Sequence, residues 1–172
     1  MLRPRVLRMS GKARDVGSDD PVLRPATSAD LDAVERLLEA EGLPVAGVSA
    51  ALEGFVVAEA AGELVGVAGL ERHGGDGVLR SVAVAPSFRS KGLGGRLTER
   101  VLDAAAGSGI RRVYLLTTTA ADYFPRYGFR RIAREDASPG VQESVEFVEV
   151  CPASAVAMVL ELEERDAIRA HQ

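Results

Sequence analysis

A chain of 172 residues, 47% of them hydrophobic, can bury the core of one domain, and its formal net charge of −4 offers no global attraction to nucleic acid or anionic membranes. A single cysteine, Cys151, excludes an intramolecular disulfide and a multi-thiolate metal site, and two histidines, His73 and His171, make a poor zinc set, so no metal is expected. No apolar run approaches the roughly twenty residues of a spanning helix, and the Arg-rich N-terminus has no apolar signal core, so a soluble cytoplasmic protein is expected.

Residues 1–20 carry Arg3, Arg5, Arg8, Lys12 and Arg14, then Asp15, Asp19 and Asp20, without periodicity, and read as a flexible leader. Val22–Ala26 reads as a short strand. Thr27 or Ser28 caps a helix in which Leu31, Val34, Leu37 and Leu38 recur at helical spacing, and Gly42 ends it. The stretch from Pro44 to Leu52 gives only an indistinct second helix. Gly54–Ala60 and Leu64–Leu70 read as strands about an Ala61-Gly62-Glu63 turn, and Val78–Val84 as the next strand after the Gly74–Gly77 turn. Leu93–Ala106 reads as a helix, Arg112–Leu116 as a strand, and Ala120–Tyr127 as a short helix limited by Pro125. Phe129–Ile132 and Ala155–Leu162 are the last strands, on either side of a polar, irregular 134–149 with room for one helical turn. The order is that of an α/β fold with a mixed sheet, in a domain over 21–163 with a charged tail over 164–172.

The turn between Val84 and Leu97 concentrates chemistry. Gly92, Gly94 and Gly95, with Arg89 and Lys91, sit where a helix begins. Its unpaired N–H groups and positive dipole end favour an anion, and glycines let the anion approach the backbone. The segment reads as a phosphate or pyrophosphate cradle. It is not a P-loop, because no Gly-Lys-Ser/Thr closes it, and Gly-x-Gly-x-x-Gly is absent. On its own, Arg-x-x-Gly-x-Gly equally describes a turn whose glycines are only structural.

Val82-x-Val84-x-Pro86, then Arg89-x-x-Gly92-x-Gly94, then Tyr127-Gly128-Phe129 resemble the GCN5-related N-acetyltransferases (GNATs) over about Leu23 to Leu162. The resemblance implies a single GNAT domain, with a mixed, mostly antiparallel sheet of six to seven strands flanked by helices. It implies acetyl-CoA as co-substrate, its pantetheine arm paired with the backbone of Val82, Ala83 and Val84. The amides of Arg89, Ser90, Lys91, Gly92, Leu93, Gly94 and Gly95 would bind the pyrophosphate, with Arg89 and Lys91 adding charge.

Acetyl transfer to an amine needs a positioned thioester, a neutral amine, an oxyanion donor and a route for a proton to the thiolate. Many members carry a tyrosine four residues before the glycine of the Gly-Phe pair. Here that position is Phe124, a candidate wall of the coenzyme site, and Tyr123 is the candidate acid unless no side-chain acid is used. Thr117 replaces a frequent asparagine, and its hydroxyl can still bond pantetheine amides. The carboxylates Glu59, Glu71, Glu143 and Glu146 are candidate bases, with Glu71 placed nearest the expected cleft; a bound water could do the same work. Arg80, beside Ser81, is a candidate bidentate partner for a substrate carboxylate, or else a surface arginine of a strand edge.

The longer motifs Leu79–Val84, Tyr114–Ala120, Glu146-Phe147 and Cys151-Pro152-Ala153-Ser154-Ala155 look like the arsenic-resistance N-acetyltransferase branch, itself similar to amino-acid N-acetyltransferases. The branch tolerates phenylalanine at position 124. The implied acceptor is the amine of a small amino acid or of an amino-acid-like toxin bearing an arsenic or phosphorus oxyanion. Cys151 and Ser154 become candidate substrate contacts, although a lone cysteine is more often a small buried hydrophobe. Two rivals stand beside this reading: a glutamate-type N-acetyltransferase, and a non-catalytic acyl-CoA-binding sensor. The expected partner is a small-molecule amine rather than nucleic acid or membrane, and a homodimer is a candidate assembly.

Overall fold

The computed structural model describes residues 20–172 except Cys151, and only the backbone at Glu149 and Val150. Residues 1–19 of the expected leader, and Cys151, lie outside the described residues. Seven strands form one sheet: β1 (Val22–Pro25), β2 (Phe55–Ala60), β3 (Glu63–His73), β4 (Asp76–Val84), β5 (Arg112–Thr117), β6 (Arg130–Ile132) and β7 (Val156–Glu161), in the order β1-β2-β3-β4-β5-β7-β6. Every pairing is antiparallel except β4–β5. Five helices accompany it: α1 (Leu31–Ala40), α2 (Val48–Ala51), α3 (Leu93–Gly107), α4 (Pro139–Gln142) and α5 (Leu162–Ala170).

Strand alternation divides the core between the two faces. Val56 and Ala58 of β2 point to α3 and meet Leu97, Val101 and Ala105, whereas Phe55 and Val57 point to α1 and α2 and meet Val34, Leu38 and Val48. Burial on both faces explains the four consecutive apolar residues Phe55–Ala58 of β2. At Gly69 the Phe55 ring lies flat on the strand, where a Cβ would come within 2.3 Å of the ring.

Two features of β4 make the site. Ser81 has φ +58°, and the β3–β4 register slips by one between Val67 and Gly69, so β4 bulges there. On its other edge β4 pairs with β5 only over Asp76–Val78, while β5 stays paired with β7 to Thr117. Beyond Val78 the two parallel strands part, and the inner edge of β4 from Leu79 to Val84 is left without a strand partner.

Several segments differ from expectation. The charged tail is helix α5, held on α3 because the nearly buried Arg165 bonds Asp103 at 2.9 Å and also Glu99, while Leu162 packs into the core. Its four consecutive charges, Glu163–Asp166, mask that anchoring. The helix expected over Ala120–Tyr127 shrinks to a 3₁₀ turn at Phe124–Tyr127. The irregular 134–149 holds more than one helical turn: a 3₁₀ turn at Arg134–Asp136, α4, and a wide π turn at Glu146–Val150. The indistinct second helix is the single turn α2 with a 3₁₀ extension over Leu52–Gly54. Among the described residues no helix is long and apolar enough to cross a membrane.

Candidate active site

The glycine turn builds a hollow of donors. After the 3₁₀ turn Pro86–Phe88, Ser90 and Gly92 both take left-handed φ (+63° and +79°), and Gly92 caps α3. From this cap the helix ladder begins with Arg96 N–H donating to Gly92 O at 3.1 Å. The N–H groups of Ser90, Lys91 and Gly92 find no acceptor among the described residues, and the first-turn amides of Leu93, Gly94 and Gly95 point the same way by helix geometry. Left-handed residues in such a turn favour an anion-binding concavity of backbone N–H groups. A Cβ at Gly92 would meet nothing within 4 Å, so this glycine serves its φ and the open space above it rather than packing. The hollow holds about 390 Å³. This donor set fits a diphosphate.

The two cations are engaged otherwise than a bare phosphate clamp would need. Arg89 is half exposed, forms an ion pair with Glu41 just past the end of α1, and donates from Nε to Val84 O at 3.3 Å. Lys91 is exposed, with Nζ 5.4 Å from the Phe88 ring centroid.

Next to this hollow the parting of β4 and β5 opens a cleft of about 580 Å³. Leu79–Val82 form one wall, Leu115, Leu116 and Thr118 the other, and Gly42–Pro44 the mouth. Gly94 and Tyr123 line both hollows, so the glycine turn and the cleft form one path. Val82 and Val84 are half-buried along it. The Ala83 side chain is buried on the α1–α2 face, so Ala83 can offer the path only its backbone. Thr117 Oγ1 accepts the Ala120 N–H at 2.9 Å and ties the turn after β5; its neighbour Thr118 faces the cleft instead.

Arg80 is no surface arginine. Its side chain is 0% exposed. Nη1 lies 3.4 Å from Glu71 Oε2, Nη2 lies 3.1 Å from Glu146 Oε1 and donates to Ala46 O at 2.6 Å, and Nε donates to Ser81 Oγ at 3.1 Å. Gly47 makes room for the guanidinium, since a Cβ there would lie 2.9 Å from Nη1. Arg80, Ser81 and Glu146 all line the cleft. Of the four carboxylates considered as bases, only Glu71 and Glu146 come together, on this one guanidinium. Glu59 pairs with Arg24 near the far edge of the sheet, and Glu143 is exposed. Ser154 is an exposed turn residue away from the cleft walls, whereas Pro152 lies in them.

Tyr123 and Tyr127 bring their hydroxyls to 2.5 Å from each other. A Cβ on Gly95 would lie 3.3 Å from the Tyr127 hydroxyl and 3.9 Å from that of Tyr123, so the pair stands over the first turn of α3. Burial, then the bond to Tyr123, pushes the Tyr127 phenol well above its ordinary range, and it keeps its proton. The Tyr123 ring is clasped by Arg126 at 4.0 Å and stands edge-on to Phe124. Phe124 is 8% exposed and packs on Phe129, so it is a core residue that also forms a wall of the cleft.

Glu41 and the Ala46-Gly47 loop escaped the sequence reading. The only local signals were a helix stop at Gly42 followed by Pro44, and neither reports a contact with β4. No group of three or more metal-ligating side chains converges among the described residues.

A family model described as the acetyltransferase (GNAT) domain matches residues 51–131. The chain is 30% identical to an amino-acid acetyltransferase of Mycobacterium tuberculosis over 122 residues, 65% of this chain and 70% of that one. It is 32% identical to an amino-acid acetyltransferase of Neisseria meningitidis over 126 residues, 68% of this chain but only 29% of that longer protein. Among solved structures, N-acetylglutamate synthase from Neisseria gonorrhoeae, complexed with coenzyme A and N-acetyl-glutamate, superposes with a TM-score of 0.71 at 24% identity, covering 83% of this chain and 35% of that one. That likeness is one of fold.

Proposed function

From the premise that this chain belongs to the GNAT acetyltransferases and is an acetyl-CoA-dependent N-acetyltransferase, we propose that its acceptor is the amine of a small amino-acid-like molecule. The observation that carries the reading is the single path from the N–H hollow at Ser90–Gly95 to a cleft whose inner end holds Arg80. Arg80 is the one cation among the described residues lining that cleft. An amino acid needs such a cation for its carboxylate while its amine faces the thioester. The names of the curated relatives support the same acceptor class. The motifs shared with the arsenic-resistance branch support an amino-acid-like toxin with an arsenic or phosphorus oxyanion, acetylated with cytoplasmic acetyl-CoA. Glutamate itself, one member of the amino-acid class in the curated relatives' names, is the second reading.

Acetyl-CoA supplies the activated thioester. The amides of Ser90–Gly95 hold its diphosphate, and the inner edge of β4 offers backbone groups at Val82 and Val84 to an extended arm, as an added strand would be held. The acceptor amine attacks the carbonyl carbon as the C–S bond breaks. Coenzyme A departs as the thiolate; the amine's proton leaves through water, since Glu71 is engaged by Arg80, and the thiolate takes up a proton to give the free thiol. The test is release of free thiol from acetyl-CoA across a panel of amines. Amino acids and phosphinic or arsinic amino-acid analogues should be turned over at least tenfold faster than amines lacking an acid group. Equal rates for both groups would sink the acceptor class.

A further inference from the structure

We propose that Glu146 occupies the seat of the acceptor's oxyanion, and that the acceptor binds by displacing the Glu146 carboxylate from Arg80. The inference rests on the acceptor class proposed above. Arg80 already carries two carboxylates, Glu71 at 3.4 Å and Glu146 at 3.1 Å, a set with formal charge −1 around a side chain that water does not reach. A third carboxylate added to one enclosed guanidinium would meet two like charges at close range in a poorly screened site. Exchange of one carboxylate for another leaves the charge count and the desolvation nearly unchanged, so displacement is the cheap route.

The two glutamates are not equal candidates for release. Glu71 lies within β3, paired with Val78 of β4, and its backbone is fixed by the sheet. Glu146 opens the π turn at Glu146–Val150, a helix form that recurs at functional sites, and it lines the cleft beside Arg80, whereas Glu71 does not line it. The backbone around it is held independently: Arg134 donates to Phe147 O and to Pro152 O, each at 2.7 Å. The Glu146 carboxylate can therefore leave Arg80 while Arg134 keeps the turn in place. The rest of the guanidinium stays bonded to Glu71, Ala46 O and Ser81, so the fork remains aimed while its cleft-side position changes partner.

The experiment compares the parent with Glu146→Gln and Glu146→Asp. Gln keeps an acceptor atom for Arg80 and removes the competing charge; Asp keeps the charge and retracts it by one methylene. Calorimetry in saturating coenzyme A measures the affinity for L-glutamate and L-phosphinothricin, with 1,4-diaminobutane as the amine without an acid group. Both variants should bind the two acids about five- to twentyfold more tightly than the parent and should leave the diamine unchanged. Weaker binding of both acids by both variants would mean that Glu146 assists the acceptor, and it would overturn the proposal. So would an unchanged affinity, or no binding of either acid by any form. Coenzyme A binding to the parent, measured beforehand in a titration without acceptor, tests the transferase reading separately: its loss would strike that reading and not the seat.

Discussion

The Tyr123 and Tyr127 hydroxyls share one short hydrogen bond above the first turn of α3, next to the backbone of Gly94 and Gly95. The sequence marks Tyr123 as a candidate acid for the thiolate. Its position over the glycine turn places the hydroxyl beside the hollow of N–H groups at Ser90–Gly95, the seat proposed for the diphosphate. Tyr123→Phe is expected to raise KM for acetyl-CoA by about two- to tenfold, the weight of one net hydrogen bond, and to lower kcat by less than about tenfold. Steady-state kinetics decides. A kcat loss of about 10²–10⁴ with KM unchanged would return the proton donor's role to this hydroxyl.

Arg80→Ala leaves Glu71 and Glu146 facing each other with side chains only 13% and 10% exposed. Removing one member of a buried ionic set costs about 3–5 kcal/mol. Urea unfolding should show that loss, and the triple variant R80A/E71Q/E146Q should recover most of it. Equal stability of Arg80→Ala and the parent would mean that water enters the cluster and that Arg80 is far less enclosed than its contacts imply.

Gly92→Glu places a side chain and a negative charge in the donor hollow, at a φ that only glycine adopts freely. Calorimetric affinity for acetyl-CoA should fall more than tenfold. Gly107→Ala, near the other end of α3 and with nothing within 4 Å of the new methyl, should leave that affinity alone and stabilise the fold by about 0.5–1 kcal/mol.

Asp30 joins the α1 end to the sheet: it accepts two bonds from Arg24, at 2.7 and 2.8 Å, and the Thr27 N–H at 2.7 Å. Arg24, opposed by burial and helped by the Thr27 amide, holds the Asp30 carboxyl well below its ordinary range. A depressed carboxylate stabilises the fold above its unfolded pKa, near 4, and loses that contribution as pH falls toward its folded value. Asp30→Asn should cost about 2 kcal/mol at pH 7, and the gap to the parent should narrow steadily below about pH 4. A gap constant from pH 7 to pH 2 would remove the charge from the explanation.

What the sequence made legible was local or periodic. The hollow at Ser90–Gly95 could be read because its cause, glycines at a helix start, lies within a few residues. The β-branched runs of β2 and β3 and the strand after the Gly74–Gly77 turn were visible as strands, and the turns between them marked their connections. What stayed hidden depends on distant partners. Arg80 reads as a strand-edge arginine until Ala46, 34 residues before it, and Glu146, 66 residues after it, close on the same guanidinium. Helix α5 has polar periodicity and became visible only through Arg165, whose partners Glu99 and Asp103 lie on α3. The tyrosine pair could have been found from its spacing of four, but nothing in the sequence said which way the hydroxyls point.

The parting of β4 from β5 after Val78 leaves a vacancy for a strand in the middle of the sheet. Most proteins hide such unpaired N–H and C=O rows at their margins, under charges or proline. Here the row is internal, between two strands of one sheet. On the proposed function, the extended coenzyme arm would complete the sheet as well as feed the reaction. Such binding adds to folding stability by mass action, about 2.7 kcal/mol at a hundred times its Kd. The supply of the coenzyme would then be linked to the stability of the fold.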